Sequence, residues 1–469
     1  MASGEAAMLF EALPDQEPPE RLGGGAPRLR YAERGQIEWR PFSLDQLVPE
    51  EHRVRLVWRF VEGLDLTPLL AAIKAVEGHA GHARADPRIL LALWLYATVK
   101  GIGSAREVSR LCEEHIAFQW LCGGVGMNAK TLADFRVDHG AVLERLLVDS
   151  FTALVRAGVA SLDRVAQDGV RVRASAGAAS FRRRSTLQDC RREAEKVLID
   201  LRAHVNADPG AASRQQAAAR QRAAEDRERR VRAALAVSEE LHVQQQEQAR
   251  QEAARAARKA QQEAARNKKP DVEAPAGKKP RVSEPRASTT DAQARVMKMA
   301  DGGFRPAYNV QFATDTKSTA IVGVSVDNIG SDMGKMAPMN EALAGHYGER
   351  PRQHLVDGGF VKFDDVETLA QHGVETFAPV PKPRDASRDP HAPLSVDQPG
   401  VAEWRKRMAS DEAKDIYKQR AATAECANAQ ARNRGLTQFL VRSLEKVKAI
   451  ALWHALTHNM VCSWRLIEA

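Results

Sequence analysis

Aromatic side chains are scarce in this sequence: Phe, Tyr and Trp make up 5% of its 469 residues, and none occurs between Arg182 and Gly303. A stretch without rings, and sparse in Leu, Ile and Val, buries too little apolar surface to fold as an independent globule. Cysteine is equally thin. Cys112, Cys122, Cys190, Cys426 and Cys462 are odd in number and form no C-x-x-C pair, which argues against a disulfide framework or a cysteine zinc site and fits a reducing cytoplasm. Long apolar runs are absent too. The longest, residues 89–99 between Arg88 and Lys100, falls short of the ~20 residues a spanning helix needs and reads as a buried helix, so no membrane partner is expected. The first thirty residues lack the apolar core of a secretory signal, and export is not expected.

Charge is present in quantity but unevenly placed. The formal net charge is +8, yet residues 181–290 hold 25 Lys and Arg against 16 Asp and Glu, leaving 44 against 45 in the rest. Within this segment, residues 187–266 are Ala, Arg, Gln and Glu with few breakers beyond Pro209-Gly210. That composition predicts long solvated helices, pairing weakly through Val231, Leu235 and Leu241. Residues 267–288, with Lys268-Lys269-Pro270 and Lys278-Lys279-Pro280, read as a disordered basic linker. Residues 182–287 are therefore expected to be a charged helical insertion, either a solvated face or a contact for a polyanion.

Around this insertion the periodicity changes twice. Residues 1–35 have the composition of a disordered tail. Residues 36–155 form an all-α N-terminal region: Asp86-Pro87 opens one helix, Ser104 with Glu107 has capping-box spacing, and a further helix near Asn128 or Lys130 carries Thr131, Asp134, Arg136 and His139 on its polar side. Such helices, joined by glycine turns, fit a helix-turn-helix with Lys130 and Arg136 toward DNA, or a small bundle without DNA contact. In residues 163–174, Ala166, Asp168, Val170 and Val172 share one parity, which predicts a strand with Asp168 on its apolar side. A lone carboxylate there is costly unless a cation or a hydrogen-bond network holds it. A hairpin follows at 308–326, then a helix with Met336, Met339 and Leu343, a strand at 354–356 ending in Asp357-Gly358-Gly359, a helix at 365–371, and a strand at 374–380. Two long helices, roughly 401–432 and 436–466, close the chain. This order predicts an α/β core, a mixed sheet with an antiparallel edge and flanking helices, over residues 156–181 and 288–469.

Asp357, at a strand's carboxyl end beside two glycines, is placed where α/β sheets gather ligands. Two hard cations would need a third acid, and the late helix offers Glu425. Asp364 and Asp365 look like a helix N-cap. His454 and His458 have the i, i+4 spacing of zinc ligands but no Glu beside the first, which favours a packing or hydrogen-bonding role.

Tyr417, Arg420, Glu425 and Arg432, with two, four and six residues between them, resemble the Tyr-Arg-Glu-Lys signature of bacterial insertion-sequence DDE transposases. Asn433-Arg434-Gly435, Leu444-Glu445-Lys446-Val447 and His458-Asn459 continue the likeness, as do Gln167-Asp168-Gly169, Tyr308-Asn309-Val310-Gln311 and Leu355-Val356-Asp357-Gly358-Gly359 upstream. The chain is most similar to the IS-eleven-eighty-two group, over residues 34–180 and 288–466. The resemblance implies an RNase H-like core in which Asp168, Asp357 and Glu425 are the catalytic acids and hold two Mg²⁺ or Mn²⁺ ions, with Tyr417, Arg420 and Arg432 at the DNA. Arg432 stands where the group more often has Lys, exchanging a compact ammonium for a planar fork. Double-stranded DNA, as element terminal repeats and as target, would be the partner. A homodimer or higher oligomer would hold two ends, in the cytoplasm at the bacterial nucleoid. The alternative is a noncatalytic, architectural DNA-binding protein descended from such an enzyme.

Overall fold

In the computed structural model the described residues are 43–76, 83–207, 214–266, 284–383, 385 and 387–468. The expected tail at 1–35 and most of the expected basic linker, 267–283, lie outside them. Residues from Leu44 onward form one unit.

Helices α1 (Arg53–Glu62) and α2 (Thr67–Ala71) precede α3 (Pro87–Val99). Asp86 caps α3 by accepting from the Arg88 amide at 2.8 Å, with Pro87 at the first position, where its missing N–H costs nothing. Ile89 to Thr98 are all buried, so α3 is a core helix, apolar on every side. Around it lie α4 (Ala105–Glu114), α5 (Ile116–Cys122), α6 (Ala129–Asp138) and α7 (Gly140–Arg156). Ser104 accepts from the Glu107 amide at 3.4 Å, but Glu107 pairs with Arg110 at 2.6 Å instead of reaching back, so only half of the capping box forms.

The sheet comprises β1 (Arg164–Arg173), β4 (Arg295–Lys298), β5 (Phe304–Asp315), β6 (Ile321–Asp327), β7 (Gln353–Leu355) and β8 (Glu375–Phe377). Its order is β4-β5-β1-β7-β8, with β6 also on β5. The β5 pairings are antiparallel, while β1, β7 and β8 run parallel. This is the mixed α/β sheet expected. Helix α10 (Met336–Tyr347) lies between β6 and β7, and α11 (Phe363–Gln371) between β7 and β8.

The carboxyl-terminal part departs from expectation. The helix expected at 401–432 is α12 (Pro399–Arg407), α13 (Asp411–Arg420), a π-helical turn (Ala421–Glu425) and α14 (Cys426–Asn433). Ser410 breaks it by capping α13, accepting from the Ala413 amide at 3.1 Å. The last helix, α15 (Leu444–Glu468), starts eight residues late because Gly435 turns left-handed at φ 92° and ends the preceding helix. The following residues run alongside β1, where Phe439 donates to the Arg173 carbonyl at 2.8 Å.

One apolar cluster runs from Val54 through Trp94 and Trp453 to Val170, Tyr308 and Phe312 of the sheet. Packing is thus continuous across residue 155. Trp94 donates to the Leu132 carbonyl at 3.0 Å and Trp453 to the Arg136 carbonyl at 2.9 Å, so α6 is tied to both α3 and α15.

The insertion is closed at its base by β2 (Phe181–Arg182) against β3 (Ala287–Ser288). Helix α8 (Arg184–Ala207) packs on α9 (Arg214–Arg266), with Leu187, Ala234 and Leu235 sharing a small core with Ala287 and Val231 buried. Because this cluster is separate from the larger ones, replacing residues 184–284 by a short Gly-Ser linker should lower helicity in the far-UV spectrum yet move the melting temperature by only a few degrees, loop closure costing on the order of 1 kcal/mol. Global unfolding of that variant would contradict the peripheral role.

Candidate active site

Ala166 of β1 pairs in parallel with Leu355 of β7. Two residues further along come Asp168, in the middle of β1, and Asp357, just past the carboxyl end of β7, so both side chains stand on one face of the sheet on neighbouring strands about 4.8 Å apart. Asp168 accepts from the Gly169 amide at 2.9 Å and from Asn428 Nδ2 at 2.9 Å. Asp357 accepts from the Gly359 amide at 2.8 Å. Desolvation pushes the Asp168 carboxyl above its ordinary range, and repulsion from Asp357 adds to this, while Arg420 and the two hydrogen bonds act against it. A carboxyl disfavoured in its charged form on the sheet face is set to gain from a bound cation.

Above this face runs the π-helical turn. Five residues along an α-helix lie about 140° apart, which would point Arg420 and Glu425 away from each other. The i→i+5 pattern of the π turn puts them on one side, and Arg420 Nη2 donates to Glu425 Oε1 at 2.7 Å. Arg420 Nη1 also lies 3.9 Å from Asp168 Oδ1, so one guanidinium bridges two of the expected acids. Burial works against the Arg420 charge, but Tyr417, Asp168 and Glu425 outweigh it and hold the group above its usual value. Tyr417 is half-buried 5.9 Å from the Arg420 guanidinium, its hydroxyl pushed up chiefly by desolvation. Arg432 is exposed at the end of α14.

Asn428 was not among the residues the sequence singled out. It follows Glu425 by three residues, the spacing that puts side chains on one helix face. It is 7% exposed, and its Oδ1 has no partner.

Among the described residues no three His, Cys, Asp or Glu side chains are already gathered as a metal-ligand set. Glu425 is held by Arg420, but its side chain is 54% exposed. An ion pair so open to solvent is worth about 1 kcal/mol or less, too little to keep Glu425 from a divalent cation. The surrounding donors are carboxylate oxygens and the unpartnered Asn428 Oδ1, which suit a hard cation such as Mg²⁺ or Mn²⁺.

Other expected site residues fall elsewhere. Lys130 is exposed on α6 and pairs with Asp134 at 2.5 Å. Arg136 corrects the sequence reading: it is 7% exposed, not on the polar side, with its guanidinium 4.3 Å over the Trp94 ring and Nη1 donating to the Gly103 carbonyl. Neighbouring Phe135 is buried as well, because α6 is enclosed by α3 and α15 on two sides. Asp364 and Asp365 lie in the first turn of α11, not at its cap, and Asp365 accepts from the Ala337 amide at 3.2 Å. His454 is buried, and His458 Nε2 hydrogen-bonds the Thr319 carbonyl at 2.8 Å.

Residues 42–138 match the family model described as Transposase domain (DUF772). The match covers 97 of the 469 residues and supports a transposase domain in these N-terminal helices. No curated protein and no solved structure matches it. No helix among the described residues is long and apolar enough to cross a membrane.

Proposed function

We propose that the protein is a DDE transposase that binds the inverted-repeat ends of its own element, cuts the DNA there and joins the freed 3′ ends to target DNA. The observation that carries this reading is the placement of Asp168 and Asp357 on adjacent parallel strands beneath a helix presenting Arg420 and Glu425. The transposase-domain match of the N-terminal helices and the antiparallel-then-parallel sheet, the order of an RNase H-like core, support it.

Asp168, Asp357 and Glu425 would hold two Mg²⁺ or Mn²⁺ ions, which when bound supply an activated water or 3′-hydroxyl and stabilise the leaving oxygen. Asn428 keeps the Asp168 carboxylate oriented. Arg420, released from Glu425, offers its planar fork to a phosphate beside the scissile bond, with Tyr417 packed against it and Arg432 reaching the backbone further along. Lys130 and the other exposed basic groups of the N-terminal helices would contact element ends, and two copies or more would hold both ends together.

The test is cleavage of element-end duplex with Mg²⁺ or Mn²⁺, wild type against Glu425→Gln. We expect the variant to bind DNA and to lose cutting about 10²-fold or more. Equal cutting by both would remove Glu425 from the site. End binding without cutting by the wild type, under any metal, would favour an architectural DNA-binding protein.

A further inference from the structure

A second polar site lies away from the acids, at the seam between the N-terminal helices and the sheet. It is a cavity of about 240 Å³ lined by Arg136, Arg173, Arg434, His454 and the turns at Gly101–Gly103 and Gly435. No Asp or Glu lines it. Arg136 is buried with Nε unpartnered. Arg434 donates from Nη2 to Gln430 Oε1 at 3.1 Å, while its buried Nη1 has no partner. His454, buried between them, also has an unpartnered Nδ1, and burial together with the two guanidiniums keeps it neutral, its pKa pushed down to about 3.

A buried Arg136 beside a half-buried Arg434, with no carboxylate lining the pocket, is an unusual arrangement, because a buried charge is normally paired. The stack on Trp94 and the Gly103 carbonyl satisfy part of Arg136. They leave its Nε and the Arg434 Nη1 as donors with nothing to receive them. Gly101 and Gly435 both have positive φ, and a Cβ on Gly435 would stand 3.0 Å from the Gly101 carbonyl. The two turns therefore meet backbone to backbone, and no side chain of theirs fills the cavity.

We infer that this pocket binds a tetrahedral oxyanion of the phosphate class, gripped by Arg136 and Arg434 inside and by the exposed Arg173 at the mouth. Arginine forks match such oxygens in geometry and charge. A space below the ~300 Å³ of ordinary ligand pockets holds one phosphate group and not a whole nucleotide. The group comes from the DNA backbone or from a free anion. In either case it joins α6, β1 and the segment after α14, so occupancy would lock the N-terminal helices to the sheet. The inference is independent of cutting: a chain that cleaves nothing would still bind the anion.

The experiment uses the full chain and two variants, Arg434→Gln and the exposed-site Arg173→Gln, which leaves buried packing untouched. Melting is followed in potassium phosphate against potassium chloride at matched ionic strength, and binding of a short duplex is followed by anisotropy across a salt series. A free-anion site gives a phosphate-specific rise of several degrees that Arg434→Gln abolishes and Arg173→Gln reduces. A backbone site gives no such rise, but duplex affinity falls about tenfold in the variants and the salt slope drops by about one. Wild type and both variants behaving alike in both assays would overturn the proposal. Should Arg434→Gln fail to fold, Arg173→Gln alone decides: a reduced phosphate shift or salt slope supports the site, and unchanged values reject it.

Discussion

Asp168→Asn is expected to cut DNA about 10³-fold more slowly than the wild type and, at pH 7, to melt at a higher temperature. The first effect follows from removing an anionic donor from the face shared with Asp357. The second follows from the direction in which the fold shifts Asp168. Its carboxyl is raised by desolvation, so the folded state favours the protonated acid more than the unfolded chain does, whose Asp titrates near 3.9. That contribution to stability is fully present below the unfolded pKa and is lost as pH rises through the folded one. At pH 7 the wild type carries the cost of the buried charge, and Asn does not: its one oxygen can accept from the Gly169 amide, while Asn428 turns its unpartnered Oδ1 to accept from the new amide nitrogen. The gap in melting temperature should narrow as pH falls from 7 through the raised pKa of Asp168, as the wild type takes up its proton. Melts at pH 7 and pH 4 beside the cleavage assay read both effects. A lower melting temperature for Asp168→Asn at pH 7 would make Asp168 a structural acceptor, not a strained functional acid.

Gly169→Ala should destabilise the protein by about 3 kcal/mol and reduce cutting with it. A Cβ at 169 would lie 2.5 Å from Asp332 Oδ1 and collide with Gln311 Nε2. Neither atom can step aside cheaply. Asp332 Oδ1 accepts from Asn309 Nδ2 and Gln311 Nε2, both at 2.7 Å, and Arg171 holds its other oxygen at 3.2 Å. Gln311 is in turn bonded to Gln167, and Gln167 to His354 at 3.0 Å, a buried histidine that desolvation holds down near pKa 4. One methyl group therefore loosens a polar network across the sheet face opposite Asp168, and breaking such bonds costs about 1–3 kcal/mol each. At a few degrees per kcal/mol for a large chain, the melting temperature should fall by about 5–10 °C. A shift within 1 °C would show that the network moves freely.

The sequence carried the strands and the two aspartates, since alternation of Ala166, Asp168, Val170 and Val172 fixes side-chain parity, and a short apolar run ending at Asp357-Gly358-Gly359 marks a strand end. It did not carry the turn that makes Arg420 and Glu425 face each other. Ala421-Ala422-Thr423-Ala424 favours an ordinary α-helix by propensity, and the π turn appears only in the folded backbone, where Thr423 and Ala424 pack into the core. Arg136 was misplaced for a related reason. Its neighbours on α6 read as a polar stripe, and the groups that enclose it, Trp94 and Trp453, lie far away in sequence. Asn428 was legible only from its spacing to Glu425, since its contact with Asp168 joins residues far apart in sequence.

The Asn428–Asp168 hydrogen bond joins residues 260 positions apart, and this sets when the site can exist. A ribosome adding about 5–20 residues per second needs on the order of tens of seconds between the two. During that time β1 has emerged, while the helix that completes the site is still unmade. On the proposed function, the acids of a nascent chain are held apart until the last part of translation, when the helix bearing Asn428 is made.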